Sequence, residues 1–234
     1  MFEALEPFFA DGYVEEVLYE LKSGKEAVVY CCRGGARLQG ALVAAKVYKA
    51  RQQRSFHNDW MYREGRVILD ARARRAAAKR TDFGREVAST LWTDHEWQVL
   101  RQLRAVRADV PRPLAHAEGA LLLEFIGDEH GAAPQLKDVR LTPGEAEAAL
   151  ERLLDNLRLW LMADVVHADL SAYNILYWQG VPVSIDFPQA VDPRVNGNAF
   201  DLLLRDLTNL ARYFARQGVD RDPYAMAERI WAFA

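Results

Sequence analysis

The feature of this sequence that most constrains its fold is an eight-residue loop pattern followed by a tight hairpin. The loop reads His-Ala-Asp-Leu-Ser-Ala-Tyr-Asn over residues 167–174. Two short β-prone segments, 175–178 and 181–185, follow it on either side of a turn at Gly180. Because a hairpin returns the chain to the place where it began, we expect Asp186, at its end, to lie beside the loop.

The polar residues of this pattern suit the transfer of a phosphoryl group. Such a reaction needs an oriented nucleophile and neutralised phosphate charge more than covalent help from the protein. Asp169 can accept the proton of an attacking hydroxyl, and Asn174 and Asp186 carry the hard oxygen ligands that Mg²⁺ or Mn²⁺ prefers. The spacing H-x-D-x-x-x-x-N before an Asp-Phe pair is typical of the protein-kinase catalytic core. We interpret His167 itself as a packing or backbone-bonding residue.

The first half of the chain contains two further candidates for phosphate contact. Residues 22–27 (KSGKEA) form a turn that fits neither G-x-x-x-x-G-K-[ST] nor G-x-G-x-x-G. Lys46 lies in the apolar run 41–49, where an unpaired ammonium would be costly. It either snorkels at a sheet edge or pairs with a helix glutamate, Glu96 or Glu86, and we favour Glu96.

Strands dominate the first half of the sequence and helices the second, which predicts an α+β chain in two lobes. The first twenty residues are expected to form an amphipathic helix or an extended cover, and two prolines interrupt the chain at positions 111 and 113. The remaining predicted elements are strands at 26–32, 41–49 and 120–126, and helices at 83–106, 141–163 (with a capping box of Thr142 and Glu145) and most of 200–234.

Residues 46–85 carry twelve Lys and Arg against four acidic residues, a local charge of +8 in a chain whose net charge is −3. One interpretation is a mobile, solvated segment at about 50–82. The other is an electrostatic landing site for the phosphate of a nucleotide or of RNA. Because the segment lacks a sharp apolar face, we favour mobility.

Several classes of protein are disfavoured by composition. The net charge gives no global attraction to nucleic acid or anionic membrane, and no run of about 18 apolar residues predicts a membrane span. The N-terminus lacks the basic region and cleavage site of a signal peptide. The two cysteines, Cys31 and Cys32, are adjacent and are expected to be buried small residues on a strand. We expect a cytoplasmic protein with no membrane partner.

Taken together, the motifs resemble the RIO family of atypical serine/threonine protein kinases over roughly residues 15–215. The resemblance implies a two-lobed protein-kinase-like (RIO-type) fold, with an antiparallel-sheet N-lobe over 1–126 and a mainly helical, shortened C-lobe over 127–234. The runs that carry it are SGKEA (23–27), AKVYK (45–49), WTDHE (92–96), LEFIG (123–127), LKD (136–138), HADLSAYN (167–174) and IDFPQ (185–189).

The resemblance also implies roles for individual residues, with ATP and Mg²⁺ (or Mn²⁺) as cofactors and autophosphorylation as a further activity. Asp169 would be the catalytic aspartate, and Asn174 and Asp186 would hold the metal. The nucleotide contacts it implies are Ser23 and Lys25 over the triphosphate, Lys46 on the α/β-phosphates and paired with Glu96, and Glu124 and Ile126 at adenine through backbone groups.

The sequence departs from the family pattern at its N-terminus. The run Asp-Phe-Pro-Gln is typical of the branch that carries an N-terminal winged helix, yet roughly twenty residues precede the phosphate loop. Family members continue that loop to Asn or Asp where Val28 stands. We therefore expect a minimal, prokaryotic member, which weakens any transfer of ribosome-maturation roles.

Two alternative functions stay open. One is an assembly factor whose ATPase cycle, through an aspartyl-phosphate on Asp186, switches its binding to RNA or ribosomal particles. The other is a small-molecule phosphotransferase, which shares the H-x-D-x-x-x-x-N core. Ser171 and the short C-terminal region disfavour the second alternative. The protein substrate of a kinase is not indicated by the sequence.

Overall fold

The computed structural model describes residues 2–49 and 82–233. They divide into two compact units, one formed by 2–49, 82–98 and 111–132 and the other by 99–110 and 133–233. The predicted mobile basic segment at about 50–82 lies outside the described residues except at its last position. The predicted boundary between lobes at residues 126 and 127 stays a prediction.

The first unit contains a five-stranded sheet. Its strands are β1 (Val14–Ser23), β2 (Ala27–Gly34), β3 (Leu42–Tyr48), β4 (Pro113–Ala117) and β5 (Ala120–Glu124). They lie in the order β1-β2-β3-β5-β4, and all neighbouring strands are antiparallel. A short helix, α1 (Glu6–Ala10), precedes the sheet. A long helix, α2 (Asp82–Ala105), lies between β3 and β4 in sequence.

Alternation along the strands gives this sheet two different faces. One face forms the larger core, where Phe8 of α1 packs with Val28, Val43 and Leu122. The opposite face carries a smaller cluster of Ala27, Tyr48, Leu121 and the α2 residue Trp92. Lys46 points to this second face because it is two residues from Tyr48 on the same strand. The helix that carries Glu96 is thereby brought to the lysine.

The second unit is mainly helical and is built on α3 (Pro143–Met162), α4 (Ala199–Ala215) and α5 (Pro223–Trp231). The predicted capping box begins α3: the Thr142 side chain accepts from the Glu145 N–H, and the Glu145 carboxylate accepts from the Thr142 N–H. The predicted hairpin is β8 (Ile175–Trp178) paired with β9 (Val181–Ser184). One further short ribbon, β6 (Gly127–Asp128) with β7 (Gly131–Ala132), follows β5.

The predicted α+β class, the predicted hairpin after the Asp169 loop and the predicted strands at 26–32 and 41–49, which pair with each other as β2 and β3, are confirmed, but two edge strands were not predicted. Strand β1 is mostly exposed and shifts register against β2 three times, so its sequence shows no clean alternation. Strand β4 begins at Pro113, a position that an edge strand tolerates because proline cannot donate to the ladder. Cys31 and Cys32 are buried on β2, as expected. In the described part of the chain, no helix is long and apolar enough to cross a bilayer.

Candidate active site

Lys46 and Glu96 form a buried ion pair in the first unit. The Lys46 Nζ lies 2.8 Å from Oε1 and 2.7 Å from Oε2 of Glu96, and the two residues are 8% and 1% exposed. The Tyr48 hydroxyl donates to the same carboxylate, a contact that the sequence did not suggest. The side chain of the alternative partner, Glu86, lies outside the described residues. Strand β3 and helix α2 thus fix the lysine beside a fully engaged carboxylate.

The predicted phosphate loop joins β1 to β2. Ser23 ends β1, and Lys25 lies in the following turn, with both residues exposed. The turn is closed by a hydrogen bond of 2.9 Å from the Gly24 N–H to the Ala27 carbonyl. Lys49 braces it, because its Nζ donates to the Ser23 hydroxyl (2.9 Å) and to the Gly24 carbonyl (2.8 Å). Lys49 was not among the predicted site residues.

Of the two residues expected at adenine, Glu124 is the last residue of β5 and Ile126 lies two residues beyond it. The Glu124 N–H donates to the Arg112 carbonyl at 2.8 Å, and its carboxylate accepts from the Arg112 N–H at 3.0 Å. Glu124 is therefore held against the chain that enters β4. Ile126 follows β5 and directly precedes β6.

The second unit brings together Asp169, Asn174 and Asp186. The Asn174 side-chain amide donates to the Asp169 carbonyl at 2.8 Å, which closes the loop on itself. The Asn174 carbonyl in turn accepts from the Ile185 N–H at 2.9 Å. Because Ile185 directly precedes Asp186, the hairpin returns that carboxylate to the loop, as the spacing predicted.

His167 is buried and supports the loop through contacts that agree with its interpretation as a packing residue. Its Nδ1 accepts from the Asp169 N–H at 3.3 Å, so Nε2 carries the proton and donates to the Ile185 carbonyl at 3.1 Å. The ring centroid lies 4.5 Å from that of Phe187, and Phe187 meets Trp160 edge-on at 5.3 Å. One imidazole therefore connects the Asp169 loop to the Asp186 loop.

Helix α4 holds the Asp169 loop through three polar side chains that sequence reasoning missed. The fully buried carboxyl group of Asp206 accepts from the N–H groups of Ala168 (2.8 Å) and Leu170 (2.9 Å). The Asn209 amide donates to the Leu170 carbonyl at 3.2 Å, and the Arg205 guanidinium donates to the Ala168 carbonyl. The backbone groups on both sides of Asp169 are thereby fixed.

Two residues of the site adopt left-handed backbone conformations, with φ of +64° at Ala168 and +71° at Asp186. Residues with a Cβ rarely adopt this conformation and do so at a cost of about 1–2 kcal/mol. Such strain persists where the surrounding structure over-determines the backbone. For Ala168, the hydrogen bonds from α4 to its N–H and carbonyl provide that constraint.

The acidity of the site is shaped by burial and by neighbouring charges. The Asp169 side chain reaches solvent, but the surrounding protein removes much of its hydration and raises its pKa; the Asp186 charge acts in the same direction. The Arg205 charge and a hydrogen bond from Asn174 oppose that rise in pKa. Burial also raises the pKa of Asp206, to about 8.

The oxygen atoms of Asn174 and Asp186 suit a metal ion whose remaining ligands come from the phosphates of a nucleotide. Among the residues that the structure describes, no cluster of three His, Cys, Asp or Glu side chains could hold a metal ion. Mg²⁺ is usually held by one or two protein oxygen ligands together with substrate phosphates and water. Because Asn174 uses its amide nitrogen toward Asp169, its Oδ1 is directed elsewhere and can serve as such a ligand.

Comparison with known proteins gives a consistent assignment. The sequence model of the family described as "RIO domain" matches residues 28–227. The chain is 33% identical over 214 residues to "Serine/threonine-protein kinase rio1" of Schizosaccharomyces pombe, covering 88% of this chain and 39% of that protein. It is 31% identical over 227 residues to "RIO-type serine/threonine-protein kinase Rio1" of Haloferax volcanii, covering 97% of this chain and 73% of that protein.

Solved structures show the same fold. The Rio2 kinase from Chaetomium thermophilum superposes with a TM-score of 0.71 at 21% identity, covering 97% of this chain and 66% of that one. Its ADP/Mg²⁺-phosphoaspartate complex gives a TM-score of 0.68 at 19% identity, with 97% and 65% covered. This likeness establishes the two-lobed protein-kinase-like fold. The chain spans about two fifths of the fission-yeast relative and about three quarters of the Haloferax one.

Proposed function

Because this chain belongs to the RIO domain family, we propose that it is an ATP- and Mg²⁺-dependent serine/threonine protein kinase. The observation that carries the proposal is that Asp169, Asn174 and Asp186 have the spacing of a kinase catalytic core and are brought together in the fold. The Asn174 side-chain amide donates a hydrogen bond to the Asp169 carbonyl, and the Ile185 N–H donates one to the Asn174 carbonyl. The names of the relatives, all serine/threonine-protein kinases, support the same activity.

In this proposal the second unit performs the chemistry. Asp169 orients the acceptor hydroxyl and takes its proton as the oxygen attacks the γ-phosphorus of ATP. The bond from that phosphorus to the β–γ bridging oxygen breaks, and ADP leaves with the bonding pair. Asn174 and Asp186 would hold Mg²⁺, which neutralises charge on the phosphate oxygens when bound. The hydrogen bonds from α4 keep the Asp169 loop in place during the reaction.

In the first unit, the proposed task is to bind and orient the nucleotide. Lys46 would contact the α/β-phosphates, since Glu96 and Tyr48 hold it in one position. Ser23 and Lys25 would lie over the triphosphate, on a turn that Lys49 braces. Glu124 and Ile126 would meet adenine through backbone groups.

A second candidate function is an ATPase switch that works through an aspartyl-phosphate. The observation that favours it is the fold likeness to a Rio2 kinase solved as an ADP/Mg²⁺-phosphoaspartate complex. In this chain Asp186 would take the phosphoryl group, and water would later release it. RNA or ribosomal particles would then be the partners, with the +8 charge of residues 46–85 as the contact.

The two candidates are separated by the fate of the γ-phosphoryl group. Purified protein is incubated with Mg²⁺ and γ-labelled ATP, and free phosphate and protein-bound label are measured together. Acid-stable label on Ser or Thr, lost in Asp169→Asn but kept in the exposed control Asp220→Asn, supports the kinase. Free phosphate together with an acid-labile, hydroxylamine-sensitive label, as expected of an acyl-phosphate, that is lost in Asp186→Asn supports the switch. A wild-type protein that neither releases nor transfers phosphate with any added protein acceptor argues against both.

A further inference from the structure

The segment that forms the reaction centre of the second unit has no cation of its own. Between Arg158 and Arg194 the chain contains no Lys or Arg, whereas it contains four aspartates, at 164, 169, 186 and 192. Protein kinases of the H-R-D type place an arginine directly before the catalytic aspartate. Here that position is Ala168. The His167 side chain is engaged with the backbone, with its Nδ1 3.3 Å from the Asp169 nitrogen and its Nε2 3.1 Å from the Ile185 carbonyl oxygen.

Helix α4 brings a cation to the same place. The Arg205 guanidinium donates to the carbonyl of Ala168, one residue before Asp169, and its charge acts on the Asp169 carboxylate. The neighbouring Asp206 holds the N–H of the same Ala168. Arg205 is half-buried and hydrogen-bonded to a backbone that is itself fixed, so its charge is held near Asp169.

We propose that Arg205 is a positioning residue for phosphoryl transfer, supplying from helix α4 the positive charge that the catalytic loop lacks. The inference rests on the proposed kinase or ATPase activity. Its guanidinium orients Asp169 and balances the cluster of aspartates as negative charge develops on the transferring group. Arginine fingers of other phosphoryl-transfer folds place their charge directly on the transferring group. Arg205 acts through Asp169, and no contact with the nucleotide is required.

The competing explanation is structural. Ala168 has a left-handed backbone, and Arg205 would then matter only as a hydrogen-bond donor to its carbonyl. Two substitutions separate charge from hydrogen bonding. Arg205→Gln keeps an N–H donor without the charge, and Arg205→Lys keeps the charge on a shorter side chain. Arg212→Gln, an exposed arginine two turns later on α4, is the matched control.

The experiment measures kcat, KM for ATP, Mg²⁺-ATP affinity and Tm for the wild type and the three variants. We expect Arg205→Gln to lower kcat at least tenfold, with KM and affinity within twofold and Tm close to that of the wild type. Arg205→Lys should recover a substantial part of kcat, and Arg212→Gln should match the wild type. A kcat in Arg205→Gln equal to or above that of Arg205→Lys would overturn the inference and leave the structural explanation. A wild type without Asp169-dependent turnover would overturn the proposed function and this inference with it.

Discussion

The Lys46 ammonium lies within 2.8 Å of both carboxylate oxygens of Glu96, and almost no solvent reaches either side chain. Removing one charge of a buried ion pair destabilises a fold strongly, because the remaining charge is left without compensation for its lost hydration. The pair therefore couples strand β3 to helix α2. This coupling determines what single and double substitutions do to the first unit.

We predict that Glu96→Gln destabilises the protein by about 3–5 kcal/mol, since it leaves the Lys46 charge buried without a counter-charge. Unfolding in urea, followed by tryptophan fluorescence, measures the change. The double variant Lys46→Met/Glu96→Leu should recover most of that stability, because it removes both charges from the apolar surroundings. It should nevertheless bind ATP weakly. A double variant as unstable as Glu96→Gln would contradict this view of the pair.

The buried carboxyl group of Asp206 is expected to make the stability of the protein depend on pH. Burial raises its pKa to about 8, from about 3.9 in an unfolded chain. The folded protein therefore keeps a proton that the unfolded chain releases, and the resulting stability is complete below about pH 4 and is lost as the pH rises through 8. Asp206→Asn lacks this dependence, although it loses one acceptor for the N–H groups of Ala168 and Leu170.

The test compares free energies of unfolding of the wild type and Asp206→Asn at pH 5, 6, 7 and 8. We expect the free energy of unfolding of the wild type, relative to that of Asp206→Asn, to fall steadily from pH 5 to pH 8. If this difference in free energy of unfolding stays constant or grows with pH, Asp206 is ionised in the folded state. In that case its two backbone donors and Arg205 outweigh burial.

The proposed role of Asp186 as a metal ligand predicts how ATP binding depends on magnesium. If Asn174 and Asp186 hold a metal that bridges to the phosphates, replacing Mg²⁺ with EDTA should weaken ATP binding to the wild type at least tenfold, or about 1.4 kcal/mol. Asp186→Asn should bind ATP with nearly the same affinity in both conditions. Calorimetry gives both affinities, and Asp220→Asn serves as the exposed control. A variant that keeps the full magnesium effect would remove Asp186 from the metal site.

The site residues that could be predicted are those whose spacing along the chain is itself the signal. Asp169, Asn174 and Asp186 lie within eighteen residues, and the hairpin between them is visible from its Gly180 turn. Lys46 stood out because a charge in an apolar strand needs a partner. The structure brings each of these groups to the neighbour that the sequence suggested.

The residues that were missed act from far along the chain. Arg205, Asp206 and Asn209 contact the Asp169 loop from 36 to 39 residues away. In sequence they look like the polar residues of an ordinary amphipathic helix. One signal was available: Asp206 falls on the apolar face of α4, three and four residues from the buried Leu203 and Leu202. A carboxylate in that position predicts backbone donors around it.

The edge strands were missed for a different reason. Strand β1 is largely exposed and irregular in register, so packing against β2 decides its conformation more than local preference does. In β4, the two prolines suggested an interruption, whereas Pro113 only marks where an edge strand begins. Both cases show tertiary contacts overriding the local pattern.

The most direct test of the proposed function separates nucleotide binding from turnover at Asp169. Mg²⁺-ATP affinity is measured by calorimetry, and release or transfer of labelled γ-phosphate is measured on the same preparations of wild type and Asp169→Asn. We predict that affinity changes less than threefold, whereas turnover falls by roughly 10²–10⁴-fold, as expected for loss of a general base. Equal turnover in the two proteins would contradict the assignment of Asp169 and, with it, the kinase mechanism proposed for this chain.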